Sequence, residues 1–108
     1  MIFHLTTPAH WEKCLNQAHF DVPTRKTEGF IHCSTEEQVL GSATKHFQEA
    51  DSLVILCIRE KGVKNILKWE PSRKGALFPH LYGKIPFHAI VDTRLLERDP
   101  AGHWQWAS

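Results

Sequence analysis

The segment Gly29 to Glu37, GFIHCSTEE, restricts the fold most, because in it a short apolar strand runs through a histidine straight into a helix start. Ser34 and Glu37 have the S-x-x-E spacing of a capping box, in which the serine oxygen accepts the backbone N–H three residues on and the glutamate reaches back. The spacing predicts a strand over 30–33 and a helix over about 35–48, with Val39, Leu40, Ala43 and Phe47 as its apolar stripe and Gly41 as a weak point. In an extended strand Phe30, His32 and Ser34 share one face, a pocket floor, while Ile31 and Cys33 enter the core. His32 then stands beside a helix N-terminus, where free N–H groups and the helix dipole suit a phosphate or other anion. The competing reading is that His32 only satisfies a buried hydrogen bond.

The aliphatic run Leu53 to Ile58 is too short for a helix and predicts a central strand buried on both faces. Before it, Met1 to Leu5 reads as a strand, and Thr7-Pro8 as an N-cap with proline at the first helical position. That start opens a helix over 8–18 with Trp11 inward; 19–28, with Pro23, reads as an exposed loop. Further strands are expected at 66–70, 87–96 and 103–106, the last placing Trp104 and Trp106 on one side. Pro79 and Gly83 force 78–83 out of any helix, and if it is extended His80 and Tyr82 share a face. The sum is an α+β fold, two N-terminal helices on a curved, mostly antiparallel sheet of about six strands.

With 108 residues the chain is expected to be a single domain over 1–108. A net charge of +1 argues against general nucleic-acid binding, yet residues 59–84 carry seven Lys/Arg against two Asp/Glu. That basic stretch is either a solvated loop or a partner for an anionic small molecule. No apolar run reaches the length of a membrane span and Met1-Ile2-Phe3-His4 lacks a secretory core, so a cytoplasmic location and no membrane partner are expected. Cys14, Cys33 and Cys57 are scattered, which indicates neither a disulfide framework nor a cysteine zinc site.

Phe3-His4-Leu5-Thr6-Thr7 and Ile31-His32-Cys33-Ser34-Thr35 share one pattern: apolar, His, apolar, hydroxyl, Thr. If the two strands are neighbours, both histidines line one cleft. His4, His32 and His80, with Glu70 and Tyr82, are flanked by aromatic and apolar residues, the character of a binding pocket. His32, His80 and Glu70 are the candidate catalytic groups. His4, Thr6, Phe30, Ser34, Trp69 and Tyr82 are the candidate ligand contacts, with Phe30 and Trp69 as walls. Three other readings compete: structural hydrogen bonders, a metal site of His4, His32, His80 and Glu70, and a Cys33 nucleophile. Strand alternation sends Cys33 into the core. His10, His19, His46, His88 and His103 read as surface or helix-face residues.

HLTT at 4–7, GFIHCST at 29–35, WEP at 69–71 and FPHLYGKIP at 78–86 occur in the order found in the bacterial family of domain of unknown function 952, which the chain resembles from residue 1 to about 93. That family is similar in fold to the ADP-ribosyltransferases, which hold NAD in the cleft of a split, curved β-sandwich. The resemblance implies NAD as a cofactor, or a cleft for ADP-ribose or a related phosphorylated nucleotide, and a cytosolic, glutathione-independent transferase. A non-catalytic binding module and a histidine metal-binding protein are the alternatives. By the same resemblance His4 takes the first-strand position that holds the ribose and nicotinamide ends of NAD. Tyr82 and Glu70 match the stacking tyrosine and supporting glutamate by type but in reverse chain order. RNA 2'-phosphotransferases of that fold use histidine with several arginines; Arg25, Arg59 and Arg73 do not make such a set evident.

Overall fold

In the computed structural model, which describes residues 1–72 and 74–107, β4 (Ser52–Ile58) is the strand on which the packing turns. Its side chains alternate between two cores. Val54, Leu56 and Ile58 enter one, and Leu53, Ile55 and Cys57 the other. Both faces of this strand therefore need a cover.

The cover comes from short elements. In chain order they are β1 (Ile2–Thr6), α1 (Pro8–Cys14), β2 (His19–Phe20), α2 (Thr24–Glu28), β3 (Ile31–His32) and α3 (Val39–His46), and then, beyond β4, β5 (Leu67–Pro71), β6 (Leu77–Leu81), β7 (Ile85–Pro86), β8 (Ile90–Arg98) and β9 (Trp104–Trp106). Among the described residues they form three antiparallel sheets, ordered β1-β4-β8-β9, β2-β7 and β3-β6-β5. Trp11 and Cys14 of α1, Phe20 of β2, Ile31 of β3 and Leu81 of β6 close the first core. Val39 and Ala43 of α3 close the second with Leu96 and Trp104.

The expected fold class needs correction. Two N-terminal helices do not share one curved sheet: strands dominate, the helices have seven, five and eight residues, and α1 and α3 cover opposite faces of β4. A strand that is apolar on both sides cannot be served by a cover on one side only.

Several local boundaries also move. Thr7 caps α1 as expected, accepting from His10 N at 3.2 Å, but the helix ends at Cys14 because His19 and Phe20 pair with Pro86 and Ile85. The expected loop 19–28 holds β2 and the whole of α2, a helix without a buried residue that ends at Gly29 with φ 90°. The capping box is Thr35–Gln38, one residue on from Ser34–Glu37; Gln38 Oε1 accepts from Thr35 N at 3.0 Å, and a 3-10 turn over Glu36–Gln38 precedes α3. Ser34 is held instead by β1, exchanging backbone hydrogen bonds with Phe3 at 2.7 and 2.9 Å. Among the described residues no helix is long and apolar enough to cross a membrane.

Candidate functional site

The Phe3–Ser34 bridge makes β1 and the 31–34 segment neighbours, which brings the two histidine motifs together. His4 Nδ1 lies 2.7 Å from the backbone oxygen of His32. A carbonyl only accepts, so Nδ1 carries the hydrogen and Nε2 is left as a lone-pair acceptor. Nε2 is buried and has no hydrogen-bond partner among the described residues. Burial pushes the His4 pKa down to about 4, against the opposing hydrogen bond to His32, so the ring is neutral at pH 7.

His4, Thr6, Ser34, Glu28 and His32 line a cleft lobe of about 480 Å³. A second lobe of about 450 Å³ is lined by His32, His80, Glu70, Gln38, Lys45 and His46. His32, Ser42, His46 and Phe78 belong to both, so the lobes adjoin. Ser34 Oγ pairs with Ser42 Oγ at 2.8 Å near this junction.

His32 and His80 are direct cross-strand partners on β3 and β6, with ring centroids 5.2 Å apart and planes at 81°. His80 Nδ1 donates to Glu70 Oε1 at 2.7 Å, and Tyr82 Oη donates to the same oxygen at 2.6 Å. These bonds, Tyr82's first, hold the Glu70 carboxyl below its usual range, and Glu70 in turn raises the Tyr82 phenol. His32 Nε2 is bonded to Glu28 Oε2 at 2.5 Å. Burial, and then the neighbouring His32, lower the His46 pKa.

Phe30 and Tyr82 stand beside the cleft and not in its lining. Phe30 stacks on His80 at 4.0 Å and 19°, and Tyr82 tilts against Phe30 at 5.3 Å, so the two hold the His80 ring in place. Trp69 is not a wall. It is 41% exposed, alternates with Lys68 and Glu70 along β5, and lines neither lobe. The remaining candidates, His4, Thr6, His32, Ser34, Glu70 and His80, all line the two lobes.

Glu28, Ser42 and His46 were not legible as site residues. His46 reads as a helix-face residue because nothing local shows that α3 turns it toward His32, 6.1 Å away between ring centroids. Glu28 ends a helix without apolar periodicity, and Gly29, a left-handed C-cap, is the one signal that marks it. Cys33 is not a nucleophile, since it is buried in the core and burial pushes its thiol up. Among the described residues no group of three or more His, Cys, Asp or Glu is arranged to hold a metal ion. Arg25 is committed to Asp21 at 2.6 and 2.9 Å, and Arg73 lies outside the described residues. The start of α1 is capped by Thr7, and the 3-10 turn that leads into α3 is capped by the Thr35–Gln38 box, so the N–H groups bonded by these caps are not free for an anion.

The family model for "Protein of unknown function (DUF952)" matches residues 5–93. The chain belongs to the DUF952 family. Two solved structures of protein CC0527 from Caulobacter crescentus are similar to this DUF952 chain at 33% sequence identity. The crystal structure has a TM-score of 0.87 over 96% of this chain and 92% of that one, and the solution structure a TM-score of 0.80 over 94% and 89%. No curated protein matches the sequence. Family membership brings no activity to this DUF952 chain.

Proposed function

We propose that the two-lobed cleft binds an anionic nucleotide of the NAD or ADP-ribose type, with a ribose hydroxyl directed to His4 and phosphates near Lys45 and His46. The observation that carries this reading is His4 Nε2, a buried acceptor with no partner among the described residues, beside the cleft that His4 lines. A buried polar atom left unpaired costs roughly 1–3 kcal/mol, and a ligand donor removes that penalty. A neutral imidazole with Nδ1 already engaged accepts from a hydroxyl or an amide N–H and does not donate to a phosphate oxygen. His4 therefore selects the sugar or amide end of such a ligand, with the Thr6 and Ser34 hydroxyls in the same lobe. Each lobe falls within the size range of small-molecule sites.

Titration calorimetry with ADP-ribose, NAD and a 2'-phosphorylated nucleotide tests the reading. We expect binding that weakens roughly tenfold in His4→Ala, the worth of one hydrogen bond of about 1.4 kcal/mol. Equal affinity in a folded His4→Ala variant contradicts it. Assaying the same mixtures for free nicotinamide or phosphate separates a transferase from a binding module.

A further inference from the structure

The lobes meet at His32, whose cross-strand partner His80 lines the second lobe, and each of these imidazoles has one nitrogen bonded to a carboxylate. His80 Nδ1 is held by Glu70 and His32 Nε2 by Glu28. Since a carboxylate accepts, those nitrogens carry the hydrogens, leaving Nε2 of His80 and Nδ1 of His32 for other partners. A carboxylate that fixes the tautomer and plane of an imidazole prepares its far nitrogen to take or give a proton. Phe30, stacked on His80, fixes that plane further. One such pair is a common structural contact; two on directly opposed strand positions, one at the junction of the lobes and the other beside it in the second lobe, have the geometry of an acid facing a base.

We propose that His80 and His32 are the general base and general acid of a phosphodiester transfer, with Glu70 and Glu28 as their positioning residues. The proposal rests on the nucleotide reading, because the substrate occupies the same cleft. The substrate class is a ribonucleoside phosphodiester, with one nucleoside end in each lobe and the phosphate at the junction beside Lys45 and His46.

His80 Nε2 takes the proton of the ribose 2'-hydroxyl as its oxygen forms a bond to phosphorus. The bond from phosphorus to the leaving ribose oxygen breaks with its electron pair, and that oxygen takes the proton from His32 Nδ1. The products are a 2',3'-cyclic phosphate and an alcohol, the two imidazoles have exchanged charge states, and no oxidant or other co-reactant is consumed. A sugar alkoxide is a poor leaving group that needs this proton, whereas a pyrophosphate link does not. The acid at the junction thus favours a phosphodiester, and NAD or ADP-ribose acts as a bound competitor. Glu70, held by both Tyr82 and His80, acts through His80 and not on a developing sugar cation.

The charged and titratable groups facing the pair include His4 from β1, Glu28 from α2, Lys45 and His46 from α3, Glu70 from β5, and Tyr82 beyond β6, whose ring lies under Lys68.

The test uses adenylyl-3',5'-adenosine and its 2'-deoxy counterpart with the whole protein, alongside ADP-ribose binding. We expect cleavage of the ribose form only, a bell-shaped pH profile, and a fall in kcat of about 10²- to 10⁴-fold in His32→Ala and in His80→Ala. Glu70→Gln should lower kcat, leave KM near its original value and displace one limb of the pH profile, which a purely structural role would not do. ADP-ribose binding without cleavage overturns the catalytic pair and leaves the binding reading standing, as does cleavage that persists in the His32→Ala/His80→Ala double variant. Failure to bind ADP-ribose or the dinucleotide overturns both.

Discussion

His4 donates its Nδ1–H to the backbone carbonyl of His32 across 2.7 Å, so the histidine of the first motif fixes the strand that carries the second. The bond decides the His4 tautomer, and burial decides its charge. The unfolded His4 binds a proton below about pH 6.5, while the folded one does so only near 4. Between those values the unfolded state holds more protons, so stability falls as pH falls through the window and is fully present above it. The shift corresponds to a loss of up to about 3 kcal/mol. In His4→Asn, urea unfolding measured from pH 7 to pH 4 should lose that much less stability than the wild type. An unchanged pH slope would show that His4 already titrates normally in the folded protein.

Arg98 ties β8 to the segment after α3. Its guanidinium donates to the carbonyls of Ala50, Phe47 and Gln48 at 2.7, 2.9 and 2.9 Å and lies 4.2 Å over the Trp104 ring. Arg98→Ala removes several donors and a cation–π contact together and should cost about 2–4 kcal/mol, read as a lower urea midpoint at constant m. A change under 0.5 kcal/mol would mean that water replaces the guanidinium without penalty.

Two glycines should respond with opposite signs. A Cβ at Gly62 would stand 2.7 Å from Ala89 Cβ and 3.2 Å from Ala89 Cα, so Gly62→Ala should destabilise by about 1–3 kcal/mol. A Cβ at Gly41, inside α3, meets nothing within 4 Å, and Gly41→Ala should stabilise by roughly 0.5–1 kcal/mol. Gly41 also lines the second lobe, so ligand affinity should not rise with stability. Thermal melts of both variants check the pair, and the same sign for both would contradict the packing described.

Tyr82 is the one tyrosine of the chain, so phenolate absorbance reports it alone. Its bond to Glu70 raises the phenol above its ordinary value of 10.0, and an alkaline titration of Glu70→Gln should move the transition back down. Coincident curves would show that the Tyr82–Glu70 bond does not persist in solution.

The parts of this fold written in short range were legible in the sequence. Leu53–Ile58 announced a doubly buried strand, Thr7-Pro8 a capped start, and the two His motifs their common cleft. Where two local solutions were equally good, the sequence could not choose. Ser34–Glu37 and Thr35–Gln38 both fit a capping box, and the Phe3 bridge occupied Ser34, moving the start by one residue. The separation into three sheets was hidden because β2, β3 and β7 are two residues long and exist through their partners. Trp69, expected as a wall, lines neither lobe because strand alternation turns it away from the face that carries Glu70 and Lys68.

The most direct test of the account is the imidazole nitrogen spectrum of His4, recorded by long-range ¹H–¹⁵N correlation at pH 7 with and without ADP-ribose. The account predicts a neutral Nδ1–H tautomer in both states and a large change at Nε2 alone as it accepts a ligand hydroxyl. An Nε2–H tautomer, or an Nε2 resonance that stays in place while ADP-ribose saturates the protein, would contradict it.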